Sequence, residues 1–296
     1  MQSFPKKSYI FALKIRKKMT IDVDKLLQTK LPNHYKKIPR LAISFLKWLI
    51  CQKDMNEFVL PPIRQCEGVE FAEGMTRVLD VTFDVHGLDD IDPDGRYLFV
   101  SNHPLGAFDG ICYISILGKK FRNIKVIVND MLMHIENLRP VFLPVNTLGR
   151  QKREDMEAIS QAYLSPDIQL MTFPAGLCSR YIDGRVQDTE WKKSVITQAI
   201  AAKRDIVPMY FDGRNSRTFY IVELLRRKLG IKFNIGLLLL PRQMVKTSRG
   251  KHYNIFIGKP IPYTAFDGSR TAKEWTLWLR EQCYTLPKSK EFAGPR

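Results

Sequence analysis

Residues 96–110 run RYLFVSNHPLGAFDG. The opening RYLFV is a short apolar, β-rich run. The residues after it are turn-forming, and a helical candidate follows near 109–118. A continuous apolar run of this length suits a strand buried on both faces. Five more runs share its character, at 124–128 (IKVIV), 141–145 (VFLPV), 168–173 (IQLMTF), 206–211 (IVPMYF) and 253–257 (YNIFI). Further helical candidates lie near 130–138, 152–164, 191–203, 219–229 and 271–284. The alternation predicts βαβ units and therefore an α/β fold, a mostly parallel sheet flanked by helices.

Composition agrees with that class. The 296 residues are 45% hydrophobic and 26% charged, with 17 Gly and 17 Pro. Those proportions exclude collagen, long disorder and a pure coiled coil. No run approaches the roughly 18 apolar residues that span a bilayer. The opening MQSFPKKSYI has no apolar segment after its charges, so no secretory signal is expected. Five cysteines, at 51, 66, 112, 178 and 283, are odd in number and widely spaced, which suits a reducing cytosol better than a disulfide framework or a zinc site.

Charge is distributed unevenly. The formal net charge is +17, of which residues 1–50 carry +10 and residues 213–251 carry +9, leaving −2 for the rest. Two basic patches on a neutral body suit anionic lipid surfaces or nucleic-acid phosphates, and charge alone does not choose between them. The N-terminal stretch reads as a helical element. Its segment 36–51 (KKIPRLAISFLKWLIC) is either a basic amphipathic helix lying in a membrane interface or a helix packed on the core. Pro61-Pro62 closes this element, which sets an N-terminal helical region at 1–62 against an α/β domain at 63–296.

Four strands are followed by turns rich in Gly, polar and cationic residues: 101–110, 146–150 (NTLGR), 174–180 (PAGLCSR) and 212–216 (DGRNS). Open α/β sheets bind ligands at such strand ends. His103 directly follows a strand, and Asp109 stands six residues on. A carboxylate beside an imidazole can fix its tautomer and stabilise the imidazolium, which makes a general base without a protein nucleophile. The plainer alternative is an aspartate capping the next helix beside an incidental histidine. Arg150, Arg180 and Arg214 each follow a different strand and could meet at one anionic group, or pair with acids such as Asp183 and Asp212. Cys178 has no neighbouring base, and no metal site is expected from His103, Asp109 and His134. Trp191, Trp275 and Trp278 fall in helical stretches and are expected in the core.

NHPLGAFDG at 102–110 and FPAGLCSR at 173–180 resemble the first and third blocks of the glycerolipid (lysophosphatidic-acid type) acyltransferase superfamily. Gly149-Arg150 resembles the second block and IVPMYFDGRNS at 206–216 the fourth, and the likeness runs from about 75 to IGKPIP at 257–262. The bacterial hemolysin-like, amino-acid-lipid branch is the most similar, sharing NHP-x-G-x-x-DG and DGRNS. The resemblance implies acyl transfer from a thioester, on acyl carrier protein or coenzyme A, to a membrane lyso-lipid, with no other cofactor. It implies His103 as general base and Asp109 as its partner. It implies a substrate site from Asn102, Gly106, Gly149, Arg150, Phe173, Pro174, Gly176, Ser179, Arg180 and Arg214. The partners it implies are a lipid acceptor and the anionic cytoplasmic face of the cell membrane, rather than nucleic acid, with helix 219–229 and the run 237–240 near the acyl chains.

Two departures bear on the acceptor. His103 and Asp109 enclose five residues where the common spacing has four, and Gly106 is expected to absorb the extra one. Ala175 stands where the widespread FPEGTRS pattern has Glu, and Leu177 where relatives of the nearer branch often carry an acid. The acceptor is then either 1-acylglycerol-3-phosphate or a mono-acylated amino acid with a free hydroxyl on its fatty chain, the second being favoured by the missing carboxylates. A non-catalytic basic relative that binds lipid or nucleic acid is the alternative.

Overall fold

The computed structural model describes residues 22–30, 32–58, 62–146, 151–230 and 235–289. It opens with three helices, α1 (Val23–Lys30), α2 (Arg40–Leu49) and α3 (Gln52–Phe58), followed by α4 (Gly68–Val78) and β1 (Thr82–His86). Next come β2 (Tyr97–Ser101), α5 (Ala107–Lys120), β3 (Ile124–Asn129), β4 (Phe142–Val145), α6 (Arg153–Leu164) and β5 (Gln169–Thr172). A hairpin, β6 (Arg180–Ile182) and β7 (Arg185–Gln187), leads to α7 (Ser194–Ala202) and β8 (Asp205–Asp212). The chain finishes with α8 (Arg217–Lys228), α9 (Ile235–Gln243), β9 (His252–Ile257) and α10 (Ala272–Thr285).

Seven strands form one sheet in the order β1-β9-β8-β2-β5-β3-β4. Every pairing is parallel except β8 with β9, so β9 and β1 run against the other five. The central strand β2 is buried along its whole length, and its side chains alternate between two cores. Phe99 packs with Phe71, Phe108 and Cys112 from α4 and α5. Leu98 and Val100 pack with Val195, Ala199, Leu279 and Cys283 from α7 and α10. The expected sheet flanked by helices is what forms.

At the edge where β2 and β8 begin, a buried arginine closes the structure. Arg204 is fully enclosed and gives all its N–H groups to carbonyls: Nε to Tyr163, Nη1 to Tyr97 and Ile168, Nη2 to Ala162 and Ser165. Arg96 beside it adds bonds to Ser165, Ala202 and Tyr163. Most of these carbonyls end α6 and α7, where the helix dipole favours a cation. Burial, and the neighbouring Arg96 charge, pull the Arg204 guanidinium down to about 10.

Several sequence expectations change. The stretch 36–51 is not one helix: Pro39 has no N–H to continue it, and α2 starts only at Arg40. Residues 130–138 form two short 3₁₀ turns, with Pro140 inside the second, rather than an α-helix. Trp191 precedes α7 instead of lying in it, yet is buried as expected. Helix α4, strand β1 and the β6–β7 hairpin were not anticipated. The hairpin had a sequence signal, since Asp183-Gly184 occupies its two-residue turn with both residues at positive φ, the conformation such a turn requires.

In the N-terminal element, Val23, Ile43 and Ile50 form a small apolar cluster with Leu238 of α9 packed against it. Lys47 pairs with Asp24, which also accepts the Tyr35 hydroxyl. Met55 of α3 already belongs to the main core. The opposite face of α2 leaves Leu41, Phe45 and Trp48 exposed, at 84, 60 and 58%. Among the described residues no helix is long and apolar enough to cross a membrane.

Candidate active site

His103 lies just beyond the carboxyl end of β2, and Asp109 in the first turn of α5. The turn between them is shaped by Gly106, whose φ of 79° and ψ of −127° only glycine adopts readily. A Cβ there would also come within 2.8 Å of Leu240 in α9. Gly106 therefore sets the course of the turn between His103 and Asp109. Asp109 is fully buried and works on both sides of its carboxylate: Oδ2 accepts the Leu105 N–H at 2.9 Å and Oδ1 the Gly110 N–H at 2.8 Å. His103 Nδ1 stands 3.0 Å from the same Oδ1. That approach is oblique, so Nδ1 makes a close polar contact without a well-aligned hydrogen bond. Such contacts commonly tighten only when substrate is bound. Asp109 does not cap α5, whose N-cap is Gly106 without a side-chain bond; its carboxylate instead holds the Leu105 and Gly110 N–H groups and stands beside His103.

The imidazole is fixed from its other faces too. The Phe173 ring stacks on it with centroids 3.9 Å apart, and the Ser179 N–H donates to the His103 carbonyl at 2.7 Å. The His103 side chain is 17% exposed although Nδ1 is buried, so the exposed part is the remainder of the ring. With Nδ1 against the carboxylate, Nε2 is the ring nitrogen left for a further partner. Two clefts lie elsewhere, one of about 710 Å³ along Gln151, Arg153, Met156 and Glu157, the other of about 350 Å³ between Glu190 and Lys273. His103 lines neither of these two clefts.

The remaining expected site residues divide. Asn102 is buried and clamps β2 to β8, its Nδ2 donating to the Phe211 carbonyl and its Oδ1 accepting the Phe211 N–H. Pro174 and Gly176 form the turn after β5, with the Gly176 N–H on the Phe173 carbonyl and φ at 65°. Arg214 is exposed beyond β8, where its neighbour Asn215 donates to the Pro104 carbonyl from behind the histidine loop. Gly149 and Arg150 lie outside the described residues. Arg180 faces inward rather than toward the histidine. It is buried, ion-paired with Glu223 of α8 at 3.0 Å, and donates to the Cys178 carbonyl. Neither Asp183 nor Asp212 is its partner. Burial pushes the Cys178 thiol up to about 11, which suits a filler and not a nucleophile.

Two carboxylates that organise this site were missed. Asp188, just after β7, accepts the His103 N–H at 3.2 Å, the Ser179 hydroxyl at 2.5 Å and the Trp191 indole N–H at 2.9 Å. The Tyr284 hydroxyl of α10 receives its own N–H. Burial raises its pKa, with the Ser179 and Trp191 bonds pulling the other way. Glu223 gathers Arg180, Arg226 and the Gly236 N–H, and so ties α8 and α9 to the turn after β5. Its spacing within α8 gave no hint of this. Ala175, where a Glu was the wider pattern, points into the apolar cluster with Trp191 and Val195, and Leu177 is exposed.

Fold and site together give an α/β protein with a histidine–aspartate contact at the carboxyl end of its central strand. The model of the acyltransferase family matches residues 25–293, and the chain belongs to that family of enzymes. Over 267 residues it is 42% identical to a lyso-glycine lipid O-acyltransferase of Bacteroides thetaiotaomicron, covering 90% of this chain and 97% of that protein. A lyso-glycine lipid O-acyltransferase of Phocaeicola vulgatus is 41% identical over the same length, covering 90% and 95%. Among solved structures, the 1-acyl-sn-glycerophosphate acyltransferase PlsC of Thermotoga maritima is similar over 75% of this chain and 80% of its own, with a TM-score of 0.44 and 16% identity.

Proposed function

We propose that this acyltransferase moves a fatty acyl group from a thioester, carried by acyl carrier protein or coenzyme A, to the free hydroxyl of a lyso-glycine lipid. The reading is carried by one conjunction: a His103–Asp109 contact of 3.0 Å at the strand ends of a chain 42% identical to an enzyme of that name. His103 Nε2 takes the hydroxyl proton as the oxygen attacks the thioester carbonyl. The tetrahedral intermediate then collapses, the C–S bond breaks, and the imidazolium returns the proton to the departing thiolate. General-base help of this kind supplies about 10²–10⁴ in rate, and positioning supplies much of the rest. The neighbouring Pro174–Gly176 turn, with Phe173, Ser179 and Arg214, would form the walls of the acceptor site. Arg180 would support that wall through Glu223.

The enzyme would work at the cytoplasmic face of the membrane. Leu41, Phe45 and Trp48 form one exposed ridge on α2, and Ile221, Leu225 and Leu229 another along α8. Both helices pack on α9. Ridges beside basic segments suit insertion among acyl chains over anionic headgroups. Purified protein supplied with lyso-glycine lipid and acyl-acyl carrier protein or acyl-CoA should yield the diacylated glycine lipid by mass spectrometry. Acylation of 1-acylglycerol-3-phosphate alone would refute the acceptor. Trp48→Glu should weaken binding to anionic vesicles by about tenfold or more. Unchanged sedimentation with vesicles would remove α2 from the membrane face.

A further inference from the structure

A lyso-glycine lipid, N-acylated on its amino group, presents a free carboxylate. When the hydroxyl sits at His103, that carboxylate lies within reach of the walls around it, since a glycyl unit with a short spacer extends roughly 7 Å. A fixed cation close to the histidine loop would recognise it. Arg180 is not available, because Glu223 and carbonyl oxygens take its donors. We propose that Lys192 supplies the cation and is the headgroup-carboxylate subsite; this rests on the acceptor assigned above.

The segment bearing Lys192 is fastened to the site at two points. The Lys192 N–H donates to the Pro174 carbonyl at 3.0 Å. Its neighbour Trp191 is buried and donates to Asp188, the same carboxylate that holds the His103 N–H. The side chain then lies over the turn after β5, where Nζ comes within 3.3 Å of the position a Gly176 Cβ would take. Gly176 thus leaves the amine room directly above a turn that packs on the histidine through Phe173. Among the described residues Lys192 has no carboxylate partner, whereas Lys273 nearby is paired with Glu190 at 3.5 Å. The turn also lacks an acid: Ala175 points into the core, and Leu177 is apolar. An acid on this turn would neutralise Lys192 and repel an anionic headgroup. Its absence leaves the exposed Lys192 ammonium, which also lines the cleft of about 350 Å³ beside Lys193 and Lys273, without a neutralising acid on this turn, and an ammonium–carboxylate hydrogen bond is among the stronger polar contacts.

The test compares two acceptors on the same full-length protein, the lyso-glycine lipid and its primary amide, which differ only in headgroup charge. Wild type should favour the acid in kcat/KM by about tenfold. Lys192→Met should reduce that preference to about twofold or less, and Lys192→Glu should favour the amide. Lys193→Met, one position along, should keep the wild-type ratio. Each ratio is measured on one preparation, so loss of folded protein cancels. A tenfold preference that persists in Lys192→Met, or its absence in wild type, would overturn the subsite and leave the acceptor assignment standing. Failure of wild type to acylate either glycine lipid while it acylates 1-acylglycerol-3-phosphate would overturn the acceptor reading itself.

Discussion

The two edges of the central sheet both hold buried polar groups, and they are finished in opposite ways. Where β2 and β8 begin, Arg204 spends its Nε, Nη1 and Nη2 on five carbonyls and is wholly enclosed. Where β2 ends, His103 keeps part of its ring open to solvent and its Nδ1 in an unaligned contact with Asp109. A satisfied network fixes structure, because nothing in it has a reason to move or react. An unfinished one leaves a group with capacity for a further partner. The same parallel strands thus carry a closed polar network at one end and a partly open one at the other.

That contrast can be broken from either side. Asp109→Asn should cause the largest loss, about 10²–10⁴-fold in turnover, because the imidazole loses both its orienting partner and the charge that stabilises its protonated form. Steady-state kinetics on correctly folded protein measures it, and near-normal turnover would mean the contact has no chemical role. Arg204→Met should act in the reverse sense. Leaving several buried carbonyls unpaired costs about 3 kcal/mol or more, a fall of about 5 °C or more in Tm for a chain this size, with turnover of the folded fraction unchanged. Thermal denaturation and a specific-activity assay separate the two effects. Asp188→Asn should fall between. Its new amide would face the Trp191 indole N–H donor to donor. A buried donor left unpaired in this way costs about 2 kcal/mol. The substitution should also loosen His103, so activity declines at temperatures where the fold still holds. Loss of stability without that early decline would reduce Asp188 to a packing residue.

Much of this comparison was legible in the sequence. The apolar runs located six strands because parallel strands are buried on both faces and leave long apolar signals. His103 and Asp109 were visible because one short turn carries both. Edge strand β1 (TFDVH) was not, as its half-exposed residues break the apolar run. Asp188 and Glu223 were hidden for another reason. Their partners His103 and Arg180 are 85 and 43 positions away, and only tertiary folding brings them together. Arg204 was hidden likewise, since a buried arginine reads like any surface arginine until its carbonyls surround it. The inward turn of Arg180 follows from the same blindness: its place after a strand was readable, and Glu223 was not.

Whether one imidazole drives the chemistry is settled most directly by His103→Ala, assayed for acyl transfer to lyso-glycine lipid beside wild type, with Tm recorded on the same samples. Turnover should fall by at least about a hundredfold while Tm moves by no more than a few degrees, since the ring is partly exposed and the bonds from this loop to Ser179 and Asp188 are made by the His103 backbone. Turnover within about twofold of wild type, in a variant of unchanged Tm, would contradict the account.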